Sequence, residues 1–388
     1  MIPFPMVNNF STAIPKYYDK VVYSRVSVGL LTHDKEFSFY ATGDSARMGM
    51  NFPRYTFLRE QDNIADAWSN SEWTFLRTTT GGYWWSGSSN VFGISTGVPW
   101  SNQTSRFVGF GTAKKMIVSN YTIYVLNTVG DVYACGSNSY GSWGNGTTTG
   151  STTFKKLPIS NVKDIYTAPD VVDNFYYTTV DNTLYGAGYG GRGGLGAALS
   201  STGANSSFIK LAEQVQDVRI SAYGYAIKKA DGNWYGTGAS KNGIFGTGTT
   251  DSAAPAYTDD NLFVLPGGVG VQRVFLGPSC THIIGEDNKL YFGGATSSTS
   301  PISGSPWNDA FWSTNVLNFT EVPGWDTGWS NKLSGIFHYA TTCTYFVLRD
   351  VVYGCGRTSG NSNYSLLPGY NANTSVFGFK TITVPGLM

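Results

Sequence analysis

The stretch DVYACGSNSYGSWGNGT, Asp131 to Thr147, runs from a short apolar segment into glycines 136, 141, 144 and 146 set among serine and asparagine. A single loop does not require that order, whereas a repeated structural unit does. An aromatic residue followed within three positions by glycine recurs along the chain. It appears as YATG, WWSG, YACG, YGAG, YGTG, YFGG and YGCG, ending at Gly43, Gly87, Gly136, Gly188, Gly238, Gly294 and Gly356. Successive members are 44 to 62 residues apart and span the chain. A period near 50 indicates a propeller or an array rather than unrelated domains.

The flanks repeat as well. Tight-turn sequences precede the aromatic strand: TVGD at 128–131, VDN at 180–182, ADGN at 230–233 and EDNK at 286–289. Gly and Asn there supply the positive φ of a two-residue hairpin. Short apolar strands precede the turns, among them TIYVLN, NFYYTTV, GYAIKK, THIIGE and TYFVLR. A second glycine follows a bulky apolar residue at Met48-Gly49, Phe92-Gly93, Trp143-Gly144, Leu195-Gly196 and Phe245-Gly246. Outer strands are expected at FKKLP (154–158), FIKL (208–211), FVLP (263–266), FTEVP (319–323) and FKTITVP (379–385), where proline ends pairing at a sheet edge. Four short strands in each of seven units predict an all-β fold, a seven-bladed β-propeller of four-stranded antiparallel blades. The repeat glycines are expected on inner strands, where blades converge and backbones approach closely. The reading is a single domain over 1–388, with 1–21 as an N-terminal arm or ring-closing strand and the repeats from about 22 onward. A β-sandwich or β-helix with glycine-rich turns is the alternative architecture.

The opening stretch resembles the repeat of the regulator of chromosome condensation (RCC1) family, which runs vyaWGsNxyGQLGxGt. Val132, Tyr133, Gly136, Asn138, Tyr140, Gly141, Gly144 and Gly146 match it; Cys135 stands for the family tryptophan and Trp143 for its leucine. LYGAGYGGRGGLGAA keeps Leu195-Gly196. The match is close in the third to fifth units and loose in the first, sixth and seventh. The resemblance implies a seven-bladed propeller and, as one function, a protein-interaction or guanine-nucleotide exchange module inside the cell.

Composition narrows the chemistry. Charged residues are 13% of the 388, the net charge is +1, and aromatics reach 15%. That balance argues against a nucleic-acid partner. No apolar run approaches a transmembrane length, so membrane insertion is not expected. MIPFPMVNNF lacks the basic and apolar regions of a secretory signal, which points to synthesis in a cytoplasm. Cys135, Cys280, Cys343 and Cys355 form no CxxC pair and read as buried thiols. His33, His282 and His338 fall in different units and outside any HExxH motif. The glycine cluster at 188–196 follows a strand but opens no helix, which weighs against a dinucleotide cradle. No catalytic residue, metal site or cofactor is expected, and the chain reads as non-enzymatic.

Binding is expected through loops. The connection between the third and fourth strands is expanded at 295–318, with Trp307, Phe311 and Trp312, and at 357–376, with Tyr364 and Tyr370. Aromatics among serine and asparagine suit sugar or protein contacts, and the alternative is that they pin long loops to the ring. Low charge and a Ser/Thr/Asn/Gly/aromatic surface resemble a bacteriophage tail or baseplate protein. In that first reading the chain is a virion component that contacts neighbouring virion proteins through a terminal strand, and a host surface glycan or protein through its loops. The family-like module, located in the cytoplasm, is the alternative.

Overall fold

The computed structural model describes residues 18–24, 27–32, 39–43, 54–61, 63–69, 73–89, 94–119, 121–167, 174–191, 193–195, 203–221, 224–238, 243–248, 262–277, 280–294, 316–339, 343–348, 351–357 and 375–382. The protein is all-β at the level of its sheets. Consecutive strands pair antiparallel into separate sheets covering 18–61, 64–102, 113–156, 162–212, 215–238, 271–321 and 333–382. Among the described residues six of these have four strands and the sheet at 215–238 has three. At its expected outer strand, 263–266, the described pairing is a bridge between Tyr235 and Leu262 and a bond from the Phe263 amide to the Trp234 carbonyl; residues 249–261 lie outside the described residues. Pro266 then opens a 3-10 turn, Pro266–Gly268, which ends pairing.

Several strands begin and end where the apolar runs do. TIYVLN is Thr122–Asn127 and GYAIKK is Gly224–Lys229. The hairpins close on positive-φ residues at Gly130, Asn182, Gly232 and Asn288, as the turn sequences require. Every sheet is assembled from strands adjacent in sequence, so neither the first described strand, Tyr18–Ser24, nor the last, Ser375–Ile382, completes a sheet from the other end of the chain. The first sheet also starts inside the segment 1–21; residues 1–17 lie outside the described residues.

The apolar core is distributed between neighbouring sheets. Trp68, Phe75 and Trp85 of one sheet pack on Met116, Ile123 and Cys135 of the next. Trp73 and Trp85 stack at 4.3 Å between centroids. Tyr124, Leu126 and Trp143 pack on Ile165 and Phe175 in the same way, and Tyr176 and Leu184 on Val218 and Tyr225. Burial in this form removes large aromatic area from water at these sheet-to-sheet contacts. A sandwich would place one core between two sheets.

First strands lie side by side from sheet to sheet, and the strand Leu333–Tyr339 of the last sheet comes back beside Tyr18–Ser24 of the first. Polar bonds join these inner edges. The Trp68 indole donates to the Met116 carbonyl at 2.7 Å, and Lys115 pairs with Asp164 at 2.6 Å. The Arg219 Nε donates to the Val274 carbonyl at 3.0 Å, and Arg273 to the Leu333 carbonyl at 2.9 Å. Trp68 and Arg219 occupy equivalent positions of their strands, so two different side chains perform one task.

The repeat glycines lie elsewhere than expected. Gly43, Gly87, Gly136, Gly188, Gly294 and Gly356 sit on third strands, and at each the register with the fourth strand shifts. Gly238 ends the corresponding third strand of the three-stranded sheet. The first six therefore mark bulges within their own sheets rather than the convergence of inner strands. Gly136 shows why glycine is needed. Its φ is +124°, and a Cβ there would lie 2.1 Å from the Tyr121 carbonyl oxygen.

Candidate functional site

Antiparallel order places the connection between strands one and two at the same end of a sheet as the connection between strands three and four. In the sheet at 113–156 these connections carry Tyr121 and the quoted stretch. Asn138, almost fully buried, organises the latter. Its side-chain carbonyl accepts from the Trp143 amide at 2.9 Å, while its amide donates to the Thr147 carbonyl at 2.9 Å. Trp143 fills the core beneath it. The Tyr124 hydroxyl meets the Ser142 hydroxyl at 2.8 Å; in the next sheet the Tyr176 hydroxyl donates to the Gly194 carbonyl at 2.7 Å. A tyrosine at one register of the second strand thus anchors each connection from below.

The same stretch clasps the following sheet. Gly144, at φ +58°, lies so close to Phe208 that a Cβ would be 2.2 Å from the ring. Gly146 donates to the Ser206 carbonyl at 2.8 Å, and Asn145 forms a bridge with Ser207. Two sheets further on, Gly243, Gly246 and Gly248 repeat the arrangement against Val316, Phe319 and Leu317. The spacing of glycines 141, 144 and 146 is therefore that of a clasp between neighbouring sheets.

At the same end of the sheet is a surface cleft of about 670 Å³, lined by Tyr121, Gly136, Ser137, Ser139, Gly150, Ser151 and Thr152. Tyr121 is 48% exposed and Tyr140 39%; Tyr140 meets Tyr189 of the next sheet edge-to-face at 5.1 Å. Exposed rings rigidly held among hydroxyls suit contacts with another protein, because they offer apolar area at low entropy loss. The aromatic loop residues singled out from sequence, Trp307, Phe311, Trp312, Tyr364 and Tyr370, lie outside the described residues. Tyr121, Tyr140 and Tyr189 were not among them. Tyr140 belongs to the quoted stretch, yet its match to the repeat pattern masked its exposure.

Burial pushes the Cys135 and Cys280 thiols up to about 12 and the Tyr166 hydroxyl up to about 12. It raises Tyr176 as well. These shifts run away from neutrality, opposite to the tuning a general acid or base needs. Among the described residues no group of three His, Cys, Asp or Glu could hold a metal ion, and no helix is long and apolar enough to cross a membrane.

No protein-family model matches the chain. Solved structures do resemble it. Prp20p from Saccharomyces cerevisiae superposes with a TM-score of 0.68 at 13% identity, covering 97% of this chain and 91% of that one. Yeast RCC1 (Prp20) with bound Kap60 gives 0.67 at 13% identity, over 99% and 92%. Human WBSCR16 gives 0.60 at 15% identity, over 86% of each. At these identities the likeness is one of fold: nearly the entire chain has the architecture of an RCC1-like β-propeller.

Proposed function

We propose that the chain is a non-enzymatic protein-interaction module, a closed propeller of seven blades that binds a partner through the face carrying Tyr121, Tyr140 and Tyr189. The observation that carries this reading is that face itself: a serine-lined cleft bounded by half-exposed Tyr121, next to a connection that buried Asn138 organises and that sets half-exposed Tyr140 against Tyr189. The solved neighbours add support. Prp20p is described by its binding to Gsp1p and histones and is seen bound to Kap60. They favour the interaction-module reading over the virion reading, for which no neighbour reported above speaks. Guanine-nucleotide exchange would be one specific form of such binding. Seven blades accord with the side-by-side first strands, which lead from sheet to sheet and back to the start. Two buried thiols that form no disulfide suit the cytoplasmic alternative.

The test is affinity capture with the purified chain as bait, followed by measurement of binding to the partner recovered. The double variant Tyr121→Ser, Tyr140→Ser is expected to weaken that binding roughly tenfold or more, since removing two aromatic anchors removes more than about 1.4 kcal/mol. Its far-ultraviolet spectrum should be unchanged. Undiminished binding would contradict the assignment of this face. Retention on whole cells or surface glycans, with no soluble protein partner, would restore the virion reading.

A further inference from the structure

The opposite end of the same sheets presents different chemistry. Here the first strands begin and the hairpins between strands two and three turn. A cleft of about 660 Å³ is bounded there by Lys114, Lys115, Lys163, Asp164, Asp217 and Arg219. Both carboxylates already have cationic partners: Asp164 pairs with Lys115, and Asp217 with Arg219. Lys114 and Lys163 are exposed and bond to neutral oxygens, the Lys163 carbonyl at 3.4 Å and the Asn182 side chain at 2.6 Å. The cleft therefore carries two positive charges beyond its internal pairs, in a chain whose overall net charge is only +1.

Exposed apolar residues lie at the same end of these sheets. Val129 and Val180, at 79% and 66% exposure, occupy the tips of adjacent hairpins. Each hairpin is fastened beside one lysine. The Thr128 amide donates to the Thr112 carbonyl at 2.9 Å, two residues before Lys114, and Asn182 accepts directly from Lys163. A valine at a turn tip gains nothing for the fold, since its side chain stays in water. The two valines therefore stand at the same end of the sheets as the two cations that have neutral partners, with the exposed Asp181 beside Val180 accepting from the Thr179 hydroxyl.

We infer that this end of the third and fourth sheets receives an acidic segment of a protein partner, with carboxylates on Lys114 and Lys163 and apolar side chains on Val129 and Val180. The inference rests on the reading of the chain as a protein-interaction module and adds a second surface of stated chemistry. Charge complementarity selects the occupant: a basic or neutral segment would leave the lysine pair uncompensated, and a lone small anion would leave the valines uncovered. Part of the attraction acts through solvent, so it weakens as salt rises.

The probe is a fluorescein-labelled peptide rich in glutamate and leucine, titrated with the full chain and followed by anisotropy. Saturable binding is expected, weakened by added salt. It should fall roughly tenfold for Lys114→Gln, Lys163→Gln. Val129→Ser, Val180→Ser should lower it by a smaller factor, and Lys155→Gln should leave it unchanged. The charge-reversed variant Lys114→Glu, Lys163→Glu should instead prefer a peptide with lysine in place of glutamate. Equal binding by wild type and the glutamine variant would overturn the inference, as would inorganic phosphate competing as effectively as the peptide. The Tyr121→Ser, Tyr140→Ser variant should bind the peptide like wild type. Loss of peptide binding alongside an intact tyrosine-dependent interaction would remove this surface alone, and the reverse result would remove only the tyrosine face.

Discussion

Gly136→Val is expected to lower the melting temperature by about 5 °C. Two effects add at this position. A side chain at φ +124° is strained by about 1–3 kcal/mol. Its Cβ would also stand 2.1 Å from the Tyr121 carbonyl oxygen, a backbone atom that cannot turn aside, and overpacking of this kind adds about 1–3 kcal/mol. Unfolding entropy of about 2.1 cal/mol/K per residue makes roughly 0.8 kcal/mol per degree for this chain, which converts about 4 kcal/mol into about 5 °C. Gly109→Ala is the control, because Gly109 has φ +90° but open space around the added carbon. It should lower the midpoint by only about 1–2 °C. Equal midpoints for the two variants, read by calorimetry, would contradict the assignment of Gly136 as a bulge that only glycine can fill.

The second large effect is expected where one sheet clasps the next. Gly144→Ala should destabilise by about 3 kcal/mol, since its Cβ would press to 2.2 Å from the Phe208 ring. The ring can be removed, unlike the carbonyl at Gly136. Phe208→Ala alone should be destabilising by about 2–3 kcal/mol, below the range for a fully buried phenylalanine because Phe208 is only partly buried. Together the substitutions should be less harmful than their sum by at least about 1 kcal/mol, because the smaller side chain makes room for the added methyl. Strict additivity in denaturant unfolding would mean that the two residues do not share a contact. Phe245-Gly246 against Phe319 offers the same cycle in another pair of sheets.

What the chain disclosed in advance was its local order. The runs TIYVLN and GYAIKK begin and end with their strands, because turn glycines and asparagines bound them on one side and bulge glycines face them on the other. The repeat period and the glycine order of 131–147 pointed to the propeller, and the fold of the solved neighbours agrees. The position of Gly136 and the task of Gly144 were not legible for a common reason. The role of Gly136 depends on a carbonyl fifteen residues earlier, and that of Gly144 on a ring in the next sheet. Neither proximity is visible in spacing alone. At the outer strand expected at 263–266, the described pairing is the Tyr235–Leu262 bridge and the Phe263 amide bond to the Trp234 carbonyl, and residues 249–261 before it lie outside the described residues. At the candidate site, the insertions at 295–318 and 357–376 drew attention by length. The exposed tyrosines of the third and fourth sheets lay within regular repeat sequence. Asn138 was legible as a match to the family pattern, although its task of holding both ends of a connection appears only in three dimensions.

The claim on which the rest depends is the closed ring of repeated sheets, and a crystal structure of the purified chain viewed along the first strands tests it most directly. The account predicts seven sectors about one channel, with Gly136, Gly188, Gly238 and Gly294 at equivalent third-strand positions and Gly144 seated on Phe208. Six or eight sectors, or two layers enclosing a single core, would contradict it.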